Sequence, residues 1–140
     1  MATTASQRIL AVRADYENGG FYSGRRRGVI LNLTVRPRPG ILASIESEWN
    51  RLHLAEGAFS TRVFRSIVNA QFSPWISVGN NLQYDTVTRV LGWQGRFRWI
   101  LRPGNDFYIV YSHNWWESTP GTRSTLDRRG VTKFVYTHRL

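Results

Sequence analysis

The sequence predicts an all-β fold: an antiparallel up-and-down transmembrane β-barrel of about eight strands, or the C-terminal part of a larger barrel, as a single domain over residues 1–140. Three observations predict it. Apolar and polar residues alternate along long stretches, the connections between the stretches differ in length, and aromatic residues gather near the stretch ends. Alternation is the period of a strand, whose successive side chains point to opposite faces. Stretches near ten residues exceed the roughly 5–6 usual in soluble sheets and suit tilted strands crossing a bilayer.

Eight segments follow from the alternation and its Gly/Pro/Asn punctuation: 7–17, 28–37, 41–54, 59–73, 76–88, 92–102, 106–115 and 129–140. In the second, Val29, Leu31, Leu33 and Val35 share one face, while Gly28, Asn32, Thr34 and Arg36 share the other, with Ile30 an exception. In the fourth, Phe64, Val68, Ala70 and Phe72 oppose Arg65, Asn69, Gln71 and Ser73. In the sixth, Trp93, Phe97, Trp99 and Leu101 oppose Gln94, Arg96, Arg98 and Arg102. In the last, Phe134, Tyr136 and Leu140 oppose Lys133, Thr137 and Arg139. Ser66 and Asn80 fall on faces that are otherwise apolar.

Three connections contain tight-turn chemistry: Pro37-Arg38-Pro39-Gly40, Ser73-Pro74-Trp75 and Arg102-Pro103-Gly104-Asn105. The first and last connections, 18–27 and 116–128, read as long loops. Short turns on one side and longer loops on the other are the pattern of an outer-membrane barrel. The aromatics fit the two interfaces. Tyr16, Phe21, Tyr22, Trp49, Phe59, Trp93, Trp115 and Trp116 belong to the long-loop side, and Trp75 and Tyr136 to the short-turn side. Rings with a polar edge favour the membrane–water boundary.

Composition narrows the classes. With 41% apolar and 14% aromatic residues the chain is not of a disordered type. It has no cysteine, which removes disulfides and thiolate zinc sites. The formal charge is +10, and Lys133 is the only lysine, so the basic residues are otherwise arginines. Arginine forks onto phosphate or carboxylate and stacks on rings. Residues 1–9 lack the basic start and apolar stretch of a secretory signal, so an outer-membrane location expects a mature form or a fragment.

The runs Leu82-Gln83-Tyr84, Arg96-Phe97-Arg98-Trp99, Arg102-Pro103-Gly104-Asn105-Asp106-Phe107-Tyr108-Ile109-Val110-Tyr111 and Lys133-Phe134-Val135-Tyr136 add a resemblance. Residues 82–140 resemble the end of a bacterial family. Its members carry an N-terminal domain similar to family 9 carbohydrate-binding modules and a C-terminal outer-membrane barrel, known as domain of unknown function 5916. The first eighty residues share only the style. The chain departs from the family in lacking the carbohydrate-binding module and in ending on Leu140, where an aromatic residue is common. The resemblance implies a barrel of the Gram-negative outer membrane, with the barrel-assembly machinery and membrane lipids as partners. It carries over no active site.

Chemistry-bearing residues are few. His53, His113 and His138 have no metal-ligand spacing. Ser112 and His113 are neighbours in a strand and point to opposite faces, so a nucleophile–base pair is not expected of them. The expectation is no enzyme, no cofactor and no metal. Glu46, Glu48, Arg96, Arg98 and Lys133 fall on polar faces and are expected to form an interior charge cluster. Arg25, Arg26 and Arg27 of the first long connection, with Arg123, Arg128 and Arg129 near the last, are expected on one rim. There they would meet anions such as lipopolysaccharide phosphates. The expected function is an outer-membrane β-barrel, structural, anchoring or transport-related, with a polar, arginine-rich interior. The alternative is a soluble basic β-barrel that binds nucleic acid or another polyanion.

Overall fold

The computed structural model describes Ala2–Thr3 and residues 9–137. Its strands are β1 (Ala2–Thr3), β2 (Leu10–Phe21), β3 (Gly24–Arg38), β4 (Ile41–Leu54), β5 (Gly57–Gln71), β6 (Ile76–Asp85), β7 (Val90–Arg102), β8 (Asn105–Thr119) and β9 (Thr122–Val135). All lie in one sheet in sequence order, and every neighbouring pair is antiparallel. The eight long strands make an up-and-down meander, as the alternation predicts. A strand of ten residues reaches about 33 Å at the usual rise, and β6, at 10 residues, is the shortest of the eight.

The sheet is not closed among the described residues. β2 carries β1 on its outer side, through Ala2↔Ala14 and Thr3↔Arg13. β9 pairs with β8 alone. Between these edges the sheet curls. Arg36 of β3, Leu42 of β4, Arg96 of β7 and Tyr108 of β8 line one cavity. In a flat sheet β3 and β8 would stand about 24 Å apart, at the usual strand spacing.

Two expected long loops are strand. The connection at 18–27 is a two-residue turn: Gly19 pairs with Arg26, Gly20 with Arg25 and Phe21 with Gly24, leaving Tyr22 and Ser23 at the tip. Tyr22 takes the left-handed conformation, φ 50°. The connection at 116–128 likewise extends the hairpin of β8 and β9, turning at Pro120-Gly121 between Thr119 and Thr122. The physical reason is that a ladder needs only backbone groups; polar side chains on both faces hide the strand period without ending the strand. Pro39-Gly40, Pro103-Gly104 and Pro120-Gly121 form the same kind of turn, each with its glycine at φ 82–88°. Proline followed by a left-handed glycine is type II chemistry. The turns at both ends of the sheet are therefore short. The last strand begins at Thr122 instead of 129, and His138, Arg139 and Leu140 lie outside the described residues.

Register settles which residues share a face, because directly paired residues point to the same side. One face carries Val12, Leu33 and Ile45 in successive pairs, then Ser66, Leu82, Trp93 and His113. The other carries Arg13, Asn32, Glu46, Arg65, Gln83, Gly92 and Asn114 in the same way. The apolar face is the open one: Leu31 is 52% exposed and Ile45 58%. The polar face is the sheltered one: Asn50 is 9% exposed and Leu52 8%. Among the described residues no large side chain is fully buried.

Candidate functional site

The outward face is an apolar band between two zones of rings. Along β3 and β4 it runs from Val29 and Trp49 to Val35 and Ala43. Along β7 and β8 it runs from Leu91 and Trp115 to Trp99 and Phe107. Eight residues of strand cover about 26 Å, near the height of the apolar band on outer-membrane barrels, about 25 Å. Two polar residues in the band, Asn80 and His113, have side-chain partners. Asn80 accepts a hydrogen bond from the Trp93 indole N–H at 2.5 Å. His113 stacks on Trp115 with ring centroids 3.9 Å apart. Its ring nitrogens lie 3.4 Å from the Tyr111 hydroxyl and 3.1 Å from the Thr125 hydroxyl. β9 departs from the band over most of its length: its outward positions Arg128, Gly130 and Thr132 are polar or small, and Phe134, opposite Phe107, is the aromatic one.

Beyond the band, at the Tyr22 end, the outward face turns basic. Arg27 stands directly opposite Arg51, Arg25 opposite His53 and Trp49 opposite Arg62. All four arginines are exposed. Like charges directly across a ladder repel, as at Arg27 and Arg51, while Arg62 lies over the Phe64 ring, 5.5 Å away. At the same end Glu117 accepts hydrogen bonds from the Tyr84 hydroxyl at 2.7 Å and the Gly121 N–H at 3.0 Å, and pairs in register with Arg123.

The structure places the six expected rim arginines on strands. Arg25, Arg26 and Arg27 belong to β3, and Arg123, Arg128 and Arg129 to β9. They do not share one orientation. Arg25, Arg27, Arg123 and Arg128 are outward, whereas Arg26 and Arg129 are on the polar face. Arg26 donates to Asn50 Oδ1 at 3.0 Å and stands 3.7 Å from Glu17 and 3.8 Å from Glu48. The strand order puts five strands between β3 and β9, so no ladder brings the two groups together.

The polar face holds small networks set by register. Glu46 accepts from Arg65, its direct partner on β5, at 2.9 Å, and from Asn32, its partner on β3, at 3.4 Å. Asn50 donates to Glu48 at 2.8 Å. Farther along the sheet Arg98 donates to Asp106 at 2.8 Å, which also accepts from the Tyr108 hydroxyl at 3.0 Å. Asn114 donates to Asp127 at 2.7 Å. The five residues of the expected interior cluster, Glu46, Glu48, Arg96, Arg98 and Lys133, lie on this one face. Their contacts divide them: the glutamates pair with Arg65 and Arg26, and Arg98 pairs with Asp106. Arg65 shares the polar face by its alternation in the sequence, whereas Arg26 and Asp106 were not legible as partners without the register.

Ser112 lies on the polar face, within 3.3 Å of the Gln94 amide, and His113 on the outward one. Among the described residues no three His, Asp or Glu side chains gather as a metal site. Comparison of the chain with protein-family models, curated proteins and solved structures finds no match, so the resemblance of residues 82–140 rests on its motifs.

Proposed function

We propose that this chain is a membrane-embedded β-barrel domain, of an outer-membrane type, with a structural, anchoring or transport-related role. The observation that carries the reading is the inverted distribution of side chains. A soluble sheet hides its apolar face and wets its polar one; this sheet exposes Leu31, Leu33 and Ile45 and shelters Glu46, Asn50 and Arg26. Lipid is the medium in which that arrangement is favourable. Strand length, the band height and the boundary rings at Trp49, Trp99 and Trp115 support the same reading.

The membrane reading carries a requirement. An unpaired strand edge is untenable in hydrocarbon. The outer edges of β9 and of most of β2 must therefore meet, as an eight-stranded barrel, or be continued by further strands of a larger one. In the eight-stranded form side chains fill the interior and the domain is an anchor; a larger ring opens a polar channel. The outward arginines Arg25, Arg27, Arg51 and Arg62, just past the band, are then positioned for phosphates of anionic lipids, lipopolysaccharide among them.

Extraction tests the proposal. The expressed chain should stay with membranes through high salt and alkaline washes and require detergent for release. It should then refold into lipid vesicles with protection of its strands from protease. A chain that dissolves in buffer and binds DNA or RNA with steep salt dependence would establish the polyanion-binding alternative instead.

A further inference from the structure

Lys133, the only lysine, lies on the polar face of β9, exposed and without an ion pair among the described residues. The polar face of β2 carries two carboxylates, Asp15 and Glu17, on the stretch that β1 leaves uncovered. Asp15 is held by Arg13 at 2.6 Å, whereas Glu17 is 72% exposed, with Arg26 at 3.7 Å. The two free edges present opposite charge on the same face. Their backbones match as well. The Ile9 carbonyl accepts from the Arg36 N–H. The odd residues of β2 therefore turn their hydrogen-bonding groups to β3, and the even ones, Asn18 and Gly20 among them, turn theirs to the free edge. The same alternation can be followed from the Ile100 N–H, which donates to Trp75, across the direct pairs of β7, β8 and β9. It turns the groups of Gly130 and Thr132 to the free edge of β9.

Barrel geometry selects the register. A path perpendicular to tilted strands returns to its first strand displaced along it. Eight strands about 4.8 Å apart, rising about 3.3 Å per residue and tilted about 35–45°, close with a displacement of about 8–11 residues. Direct partners followed strand by strand from Leu10, through Val35 and Asn80, lead to Gly130. β2 begins at Leu10, so the displacement runs toward Phe21, and only even displacements keep the two faces apart. Gly130 therefore meets Asn18 or Gly20. The first register sets Lys133 directly opposite Asp15, and the second sets it opposite Glu17. In each the other carboxylate is its diagonal neighbour. Either place is a non-hydrogen-bonded pair, in which side chains stand closest. The second register also leaves β1 in place on Arg13 and Ala14. We propose that β9 closes onto β2 of the same chain, with Lys133 as the latch between Asp15 and Glu17. This rests on the membrane-barrel reading and commits it to the eight-stranded form.

Disulfide formation in the full chain refolded into zwitterionic lipid vesicles tests the register, with protease protection of the strands measured on the same samples. Lys133→Cys should form an intrachain disulfide with Asp15→Cys or with Glu17→Cys, whichever stands directly opposite, because the Cα atoms of such a pair lie within about 7 Å. With Ser77→Cys, on the same face of β6, it should form none. Charge reversal tests the latch. Lys133→Glu should lower the folded-to-unfolded ratio in urea titrations about tenfold, the scale of an attractive cross-strand pair lost and a repulsive one gained. Reversing the opposing carboxylate as well, by Asp15→Lys or Glu17→Lys, should recover most of that loss. Protected chains that cross-link at neither position, or only between chains, overturn the proposal and leave the membrane reading intact. A Lys133→Glu variant as stable as the parent, or a loss that neither reversal recovers, also overturns it. Chains that stay unprotected outside the vesicles overturn both.

Discussion

The Trp93 indole N–H donates to the Asn80 side-chain oxygen at 2.5 Å on the otherwise apolar outward face. Asn80 breaks the alternation of β6, and Trp93 of β7 repairs the break, because the register Leu82↔Trp93 sets the ring beside it. If this face meets hydrocarbon, the amide oxygen needs that donor, since lipid offers none. Trp93→Phe should therefore destabilise the protein in bilayers by about 1–2 kcal/mol, the scale of an orphaned polar atom. Asn80→Leu should cost nothing and should suppress the Trp93→Phe defect. Refolding titrations of the four proteins in lipid vesicles check this; a Trp93→Phe penalty that persists in the Asn80→Leu background would assign the effect to lost ring packing.

Face assignment has its own test on β3. Leu33 points outward at 40% exposure, and Asn32, its chain neighbour, points to the polar face beside Glu46. Leu33→Arg should cost about 2–4 kcal/mol in bilayers, as a cation on the lipid face near mid-depth does. Asn32→Arg places the charge next to a carboxylate and should be far milder. Equal costs in the same vesicles would remove the membrane assignment.

The strand positions were legible wherever one face is apolar, as at Val29–Val35 and Trp93–Trp99. They were illegible at Asn18–Arg27 and Glu117–Arg128, because past the apolar band neither face is required to be apolar and the period of two disappears. Backbone pairing continues there regardless. Pro120-Gly121 was the available signal, being the same dipeptide as at the two turns that were recognised. The partners of Glu48 and Arg98 depend on register between strands, and the arginine-lined cavity depends on curl across the strands from β3 to β8. Neither property belongs to a single segment of sequence.

Arg27 and Arg51 face each other directly on the outward side. Opposed like charges cost a few tenths of a kcal/mol to about 1 kcal/mol, and an anion between them removes the cost. Arg27→Gln should then raise stability in vesicles of zwitterionic lipid and lower it in vesicles carrying lipopolysaccharide or other anionic lipid. The sign change between the two lipids is the measured quantity. The same shift in both would show that these arginines do not meet lipid phosphates.

Glu46 and Arg65 are direct ladder partners, 2.9 Å apart and half-exposed. Solvent screens such a pair, so its coupling should be modest, about 0.5–1 kcal/mol in a double-mutant cycle. Glu46→Gln and Arg65→Gln should each destabilise, and the double variant should lose less than the sum. Additive losses would mean that the ion pair contributes nothing beyond its two side chains.

The outer edge of β9 decides between a closed eight-stranded barrel and a part of a larger one. Residues Thr122–Phe134 are all exposed, and the strand's outward positions Arg128, Gly130 and Thr132 lack the apolar character of the other strands. On β2, β1 covers Arg13 and Ala14, and among the described residues Asp15–Phe21 have no outer ladder partner. Closure would set these two free edges together in antiparallel order. The chain has no cysteine, so introduced pairs report without background. Asn18→Cys lies on the outward face of β2, and Thr125→Cys, Arg128→Cys and Gly130→Cys lie on the outward face of β9. A disulfide needs Cα atoms within about 7 Å, so at most one or two of the three combinations should cross-link at a single register. Closure expects an intrachain disulfide, formed in lipid vesicles and seen as a faster-moving band on non-reducing gels. Cross-links only between chains would exclude the eight-stranded ring and identify β9 as the strand through which a wider one is built.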